Sequence, residues 1–264
     1  MGKPLAVITG ASSGFGVVFA RKLAANHDLL LIARRKQKLE ALAAELTAQY
    51  GCAADVLSAD LADEKDLAAV AERIAAEQNL ALLVNNAGFG SRGLFWESDL
   101  EVQERMHRLH VMATVRLCHA ALRIMVANNA GGIINVASVS AFVQRSGSVS
   151  YGATKGWMTK FTEGLYLELK GIGSAVKVQA LCPGFTYTDF HETLGLERQS
   201  VAPPSLWLRP EFVVDESLKA LPHAKLIVVP GWKYQVLVAV ISKLPMPLRL
   251  AFEAAGSTKN SRWK

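Results

Sequence analysis

The feature that most restricts the fold of this chain is a series of seven short, nearly continuous apolar runs separated by helical patterns. The runs are PLAVIT (4–9), DLLLIA (28–33), ADVLSAD (54–60), LALLVNN (80–86), GIINVAS (132–138), VKVQALC (176–182) and KLIVVP (225–230). A strand with one wet face alternates apolar and polar residues. A strand covered on both faces need not, and parallel sheets sandwiched by helices are built from such strands. Between the runs, apolar residues fall at helical spacing over Gly16–Ala25, Lys38–Gln49, Asp63–Glu77, Ser98–Val126 and Ser150–Leu169. Ser98 and Glu101 form a capping box at the head of the fourth stretch, and Trp157, Phe161, Leu165 and Leu169 make a stripe along the fifth. The alternation predicts an α/β fold, a doubly wound seven-stranded parallel sheet.

At 264 residues the chain is expected to form one domain, 1–264, with no linker or repeat to divide it. Apolar residues at 51% and charged residues at 20% place it among soluble globular proteins. The three cysteines, Cys52, Cys118 and Cys182, share no metal-ligand spacing and are too few for a disulfide framework. No metal is expected, and a reducing cytoplasm is the expected location. Met1–Pro4 leads directly into an apolar run, so no secretory signal is read there. No apolar stretch is expected to reach the ~20 residues of a membrane span; the nearest, Val236–Ile241, is broken by Ser242, Lys243 and Pro245. The net charge is +6, of which residues 243–264 supply +4, from Lys243, Arg249, Lys259, Arg262 and Lys264 against Glu253. That reads as a basic terminus, and without a basic stripe carrying interleaved aromatics no nucleic-acid partner is expected.

The first run ends in TGASSGFG, Thr9 to Gly16, and a helix pattern follows. Glycines there permit a sharp turn and a close backbone approach. The N–H groups and positive dipole end of a helix start suit a pyrophosphate. The spacing of Gly10, Gly14 and Gly16 is G-x-x-x-G-x-G rather than G-x-G-x-x-G, and the strand before and helix after make it a dinucleotide turn. An NAD site commonly carries an acid about 20 residues further on, at the end of the second strand, to hold the ribose 2′-hydroxyl. This chain has LIARRKQK there, with Arg34 and Arg35 and no acid before Glu40. Arginine chelates a 2′-phosphate that a carboxylate would repel, so NADP(H) is expected ahead of NAD.

Tyr151 and Lys155 stand four apart, neighbours on a helix at ~5–6 Å. Bringing a phenol from about 10 to about 7 takes roughly 4 kcal/mol, and one cation at ~5 Å in an effective dielectric of ~20 supplies about 3.3 kcal/mol. Lys155 is therefore expected to lower the Tyr151 pKa. Ser138 closes the fifth run, at the strand end that lines the ligand crevice of such sheets, where a hydroxyl can meet an oxygen whose charge changes in a reaction.

In combination, TGASSGFG, ADL (59–61), NNAG (85–88), NVASVS (135–140), YGATK (151–155) and PGFTYT (183–188) resemble the short-chain dehydrogenase/reductase family, in family order over most of the chain. The resemblance is to its NADP-preferring branch, with the broad-specificity bacterial reductases and long-chain ketoacyl reductases. It implies a seven-stranded Rossmann fold and interconversion of a carbonyl and an alcohol by hydride transfer, with a ketone or ketoacyl derivative as a candidate substrate. It implies Tyr151 as proton donor or acceptor, Lys155 as holder of the ribose hydroxyls, and Ser138 as the group that orients the substrate oxygen. Gly10, Ser12, Ser13, Gly14, Phe15 and Gly16 would cradle the pyrophosphate. Asp60 and Leu61 would meet the adenine, and Asn86, Ala87 and Gly88 would line the cofactor. Pro183, Gly184, Phe185, Thr186 and Thr188 would face its nicotinamide end. A homodimer or homotetramer is implied.

Three departures stand out. The family's long fourth helix usually carries an asparagine that anchors a relay water; here RLHVMAT puts His110 in that slot, either as an altered relay with a catalytic part or as a packed histidine. The last run, KLIVVPGW, lacks the glycine-rich ending of many tetrameric members. Residues 232–264 open with the apolar, basic-edged WKYQVLVAVISKLPMPLRLAFEAA (232–255), readable as a substrate cover, a subunit contact or a membrane-surface segment, and the subunit contact or core is the expectation. Residues 189–212 read as a substrate lid, in which Phe190, Leu194 and Trp207 either wall an apolar pocket or only pack the loop onto the body. Two other functions fit the sequence less directly: a cofactor-binding regulator without turnover, suggested by His110, and a peripheral membrane reductase of lipid ketones.

Overall fold

In the computed structural model, which describes residues 2–189 and 202–258, the seven runs become seven parallel strands. They are β1 (Leu5–Thr9), β2 (Asp28–Ala33), β3 (Ala54–Ser58), β4 (Leu80–Asn85), β5 (Gly132–Val136), β6 (Lys177–Leu181) and β7 (Ile227–Val228). The order across the sheet is β3-β2-β1-β4-β5-β6-β7, so the winding reverses between β1 and β4. At such a reversal the connections leave in opposite directions and open a crevice beyond the carboxyl ends of the strands. The strands are shorter than the runs. β3 stops before Asp60 and β5 before Ser138, which frees both residues to turn over the sheet edge. Pro230 follows closely on β7, which keeps only two ladder residues.

The helices are α1 (Gly14–Leu23), α2 (Lys36–Tyr50), α3 (Glu64–Ala75), α4 (Leu100–His107), α5 (Ala113–Ala127), α6 (Val149–Gly171), α7 (Pro210–Ala220), α8 (Trp232–Ile241) and α9 (Met246–Thr258). One face of the sheet buries Ile8, Leu29 and Leu31 against Phe19 of α1, Leu46 of α2 and Val213 of α7. The other buries Val7, Leu30 and Leu83 against Ile74 of α3, Leu117 of α5 and Leu169 of α6. Burial on both faces is why the strands read as unbroken apolar runs.

The fourth helical stretch differs from its sequence reading in two ways. Its capping residue is Asp99, whose carboxylate accepts from the Glu101 N–H at 2.9 Å, so the Ser98–Glu101 capping box does not form. Ser98 is occupied elsewhere: its hydroxyl donates to the Phe95 carbonyl and accepts from Gln103. A single π turn, Arg108–Met112, then joins α4 to α5. Leu100–Ala127 as a whole is long and apolar enough to cross a membrane, against expectation, but Leu117, Cys118, Ala121 and Met125 spend its apolar side on the sheet. Of the proposed lid, residues 190–201 with Phe190 and Leu194 lie outside the described residues. Trp207 is buried, donating Nε1–H to the Ala202 carbonyl and packing on Phe185 and Tyr187.

Candidate active site

The reversal point opens into a crevice of about 390 Å³ at the carboxyl ends of β1, β4 and β5. Its floor is the glycine turn. Gly10 has φ +66, a left-handed value, and a Cβ there would meet Asn86 Nδ2 at 2.8 Å. A Cβ on Gly16 would fall 2.2 Å from the Gly10 carbonyl oxygen, so only a bare backbone lets α1 begin this close to β1. The turn is tied to β4 by Thr9, whose hydroxyl donates to the Val84 carbonyl and accepts from the N–H groups of Asn86 and Ala87. The Asn86 amide donates back to the Thr9 carbonyl at 2.9 Å. Asn86, Ala87 and Gly88 are thereby held along the crevice wall.

The start of α1 fits an anion. Its N-cap, Ser13, makes no capping bond, and no acid sits in the first turn. Both serine hydroxyls instead accept from Arg35, Ser13 Oγ at 2.7 Å and Ser12 Oγ at 2.9 Å from Nη2. The helix N–H groups thus remain pointed into the crevice beside a guanidinium and two hydroxyls, a donor set that matches a phosphate. Arg34 lines the same end. Asp60 and Leu61 stand across from it, and the Asp60 carboxylate is ion-paired with Arg105 of α4 while also accepting from the Ala62 N–H.

At the far end Ser138, Tyr151 and Lys155 converge. The Ser138 hydroxyl is hydrogen-bonded to the Tyr151 phenol. Lys155 Nζ lies 5.8 Å from the centre of the Tyr151 ring and donates to the Val136 carbonyl at 2.7 Å. Ser138 itself is fixed by the Ser140 N–H, which donates to its Oγ at 3.1 Å. The charge balance differs from the sequence expectation. Burial pushes the Tyr151 phenol up to about 12, although the Ser138 bond works against it. Burial likewise brings the Lys155 ammonium down to about 8. The sequence arithmetic counted the attraction between the two groups and left out the cost of burying both.

His110 sits on the π turn, fully buried, with its ring edge-on to Tyr151 at 5.9 Å between centroids. The Phe89 N–H donates to Nε2 at 3.2 Å, which leaves the ring proton on Nδ1, 2.9 Å from Thr154 Oγ1. The Thr154 hydroxyl donates onward to the Tyr151 carbonyl. Burial, and after it the nearby Lys155 charge, keeps the His110 pKa well below the usual range, so the ring is neutral.

Of the twenty-two site residues singled out in the sequence, twenty line the crevice, Ser138, Tyr151, Lys155 and His110 among them. Two do not. Gly16 is spent on the contact with Gly10, and the Phe185 ring turns away to pack on Trp207, 5.6 Å between centroids, with the Arg145 guanidinium over it. Sequence reasoning missed Thr9 and Arg105. Thr9 precedes the glycine turn and was open to notice; Arg105 meets Asp60 across 45 residues of chain, with no local signal.

The short chain dehydrogenase family matches residues 4–199 of this sequence. The chain belongs to that family. This dehydrogenase/reductase is 35% identical over 190 residues to sulfoacetaldehyde reductase 2 of Chromohalobacter salexigens, covering 70% of this chain and 74% of the relative. Among solved structures, a short-chain dehydrogenase from Sphingobium yanoikuyae in complex with NADPH is similar at a TM-score of 0.82 and 34% identity, over 92% of this chain and 97% of that one. A family member from Burkholderia phymatum in complex with NAD is similar at a TM-score of 0.78 and 26% identity, over 90% and 92%. The dehydrogenase/reductase is thus an NAD(P)-dependent oxidoreductase acting on CH–OH groups of small molecules.

Proposed function

We propose that this chain is an NADP(H)-dependent reductase of ketone or ketoacyl substrates, with Tyr151 exchanging the proton at the substrate oxygen. The observation that carries the reading is the convergence of the Ser138 hydroxyl, the Tyr151 phenol and the Lys155 ammonium on one end of a crevice whose other end holds a phosphate-shaped donor set. Bound NADP(H) supplies hydride exchange at the substrate carbon. The start of α1 with Ser12, Ser13 and Arg35 would hold its phosphates, Asp60 and Leu61 its adenine, and Asn86, Gly88, Pro183, Gly184, Thr186 and Thr188 its nicotinamide half. Arg35 supports NADP(H) over NAD, because a guanidinium already chelating two hydroxyls can take a 2′-phosphate between them.

The phenol, pushed up to about 12, keeps its proton at neutral pH and so can give it to the substrate oxygen when a carbonyl is reduced. Ser138 orients the carbonyl oxygen, and Lys155, largely protonated below about 8, meets the negative charge left on the phenol. His110 acts in this reading as a positioning residue, since the Phe89 N–H and the Thr154 hydroxyl occupy both ring nitrogens.

The test is NADPH oxidation with a panel of ketones and ketoacyl thioesters. Tyr151→Phe is expected to lower kcat by about 10²–10⁴ with NADPH binding retained; undiminished turnover would sink the assignment. Arg35→Glu is expected to cut the preference for NADPH over NADH by about tenfold or more. His110→Asn is expected to leave the pH profile of kcat in place; a shifted limb would make the ring a proton carrier instead.

A further inference from the structure

Ser138 and Tyr151 are hydrogen-bonded to each other, yet the chain between them is not all regular structure. After a short 3-10 turn, Val139–Ala141, residues 142–148 form neither helix nor strand before α6 begins. What holds this segment therefore bears on how the two hydroxyls meet. Three of its contacts adjoin the crevice. The Gln144 side chain fills the space beside Gly152, the neighbour of Tyr151; a Cβ there would fall 2.2 Å from Gln144 Oε1. The Arg145 guanidinium lies 5.3 Å from the centre of the Phe185 ring, next to Gly184. Gly147, at φ +80, backs onto Gly93, four residues past Phe89.

A fourth contact comes from outside the crevice. The Gln144 N–H donates to Glu253 Oε1 of α9 at 3.1 Å, across 109 residues of sequence. Glu253 is placed against the habit of its type. It is 8% exposed, while Leu250 and Phe252 close to it on the same helix are each more than half exposed. Burying a carboxylate costs stability unless hydrogen bonds repay it. An N–H donated to a carboxylate is among the stronger bonds of a fold. The acid is thus turned inward for the bond it makes, and that bond falls in the middle of the irregular segment. Among the described residues none of α9 lines the crevice, so any effect of Glu253 on the chemistry passes through Gln144.

We propose that Glu253 is a positioning residue for the reaction: by holding the Gln144 N–H it fixes residues 142–148, and with them Tyr151 against Ser138. The proposal rests on the reading of Ser138 and Tyr151 as the groups that meet the substrate oxygen. Hydrogen exchange tests it on the full chain without any substrate. Glu253→Ala is expected to speed exchange of the amides of 142–152 by about tenfold or more and to leave those of α1 unchanged. In turnover with the ketone and ketoacyl panel, the same variant is expected to lower kcat by about tenfold to a hundredfold. Its Kd for NADPH, read by fluorescence titration, should stay within about threefold. Glu253→Gln, which keeps an accepting oxygen, should restore both exchange and kcat. Asp99→Ala, a cap on α4 remote from this segment, serves as a destabilised control and should keep native kcat. Unchanged exchange over 142–152 overturns the proposal, as does native kcat in Glu253→Ala. So does an equal loss of kcat in Asp99→Ala, or a Glu253→Gln as impaired as Glu253→Ala. Tyr151→Phe separates the two levels: if it turns over undiminished, the reading of the reacting pair falls and this proposal with it. If it is inactive while Glu253→Ala is native, only the role of Glu253 falls.

Discussion

At the scale of single residues, the Tyr151–Lys155 pair sets a pH signature on stability as well as on turnover. Lys155 titrates near 8 in the fold against 10.5 for the free side chain, so between those values the unfolded chain holds a proton that the folded chain has lost. Stability then rises with pH across that window, by up to about 3 kcal/mol. Tyr151 works the other way: its phenol is held near 12 against 10.0, so above pH 10 the folded chain keeps a proton that the unfolded chain gives up, and stability falls. Urea unfolding of the cofactor-free chain from pH 7 to 11 is expected to rise above pH 8 and to turn over near 9, where the buried Cys118 and Cys182 thiols, pushed up to about 12 from 9.0, begin to hold protons that the unfolded chain gives up. Lys155→Met should flatten the rise and Tyr151→Phe should lessen the fall above pH 10. The identity of these residues was legible in the sequence because spacing four on a helix and the end of a strand are local facts. Their charge state was not, because burial is a property of everything packed around them. His110 shows the same division. Its unusual place was plain from RLHVMAT, but its tautomer depends on Phe89 and Thr154, 21 and 44 residues away.

At the scale of elements, the sheet was readable strand by strand, since burial on both faces leaves an unmistakable apolar run. Ends were less readable, because caps are decided by geometry that several polar residues can satisfy. Ser98 and Asp99 both suit the head of α4, and the structure uses the aspartate. Asp99→Ala is therefore expected to cost about 1 kcal/mol of stability, whereas Glu101→Ala should change it little; chemical denaturation of the two variants separates the arrangements. The glycine turn carries a sharper expectation. Gly16→Ala forces a methyl onto the Gly10 carbonyl and should destabilise by about 1–3 kcal/mol while weakening NADPH binding, measured by fluorescence titration. The π turn left no trace in the sequence, since its residues have ordinary helix-forming character.

For the whole molecule, the donor set at the α1 terminus links cofactor choice to thermal stability. At a hundredfold excess over Kd a ligand adds about 2.7 kcal/mol, which for a domain of this size raises Tm by about 5–10 °C. NADPH is expected to give that shift, NADH at the same concentration a smaller one, and Arg35→Glu should narrow the gap; differential scanning fluorimetry reads all three. The terminal helices belong to the same mechanical unit. The Tyr234 ring of α8 presses on Gly184 so closely that a methyl there would land 2.1 Å from Cζ, while its hydroxyl accepts from the Phe185 N–H and donates to the Leu206 carbonyl. A chain cut after Gly231 would lose this buttress from behind Pro183–Thr188. Trimming the tail to improve solubility would then cost the enzyme its grip on the dinucleotide, though among the described residues none beyond Asp189 touches the crevice.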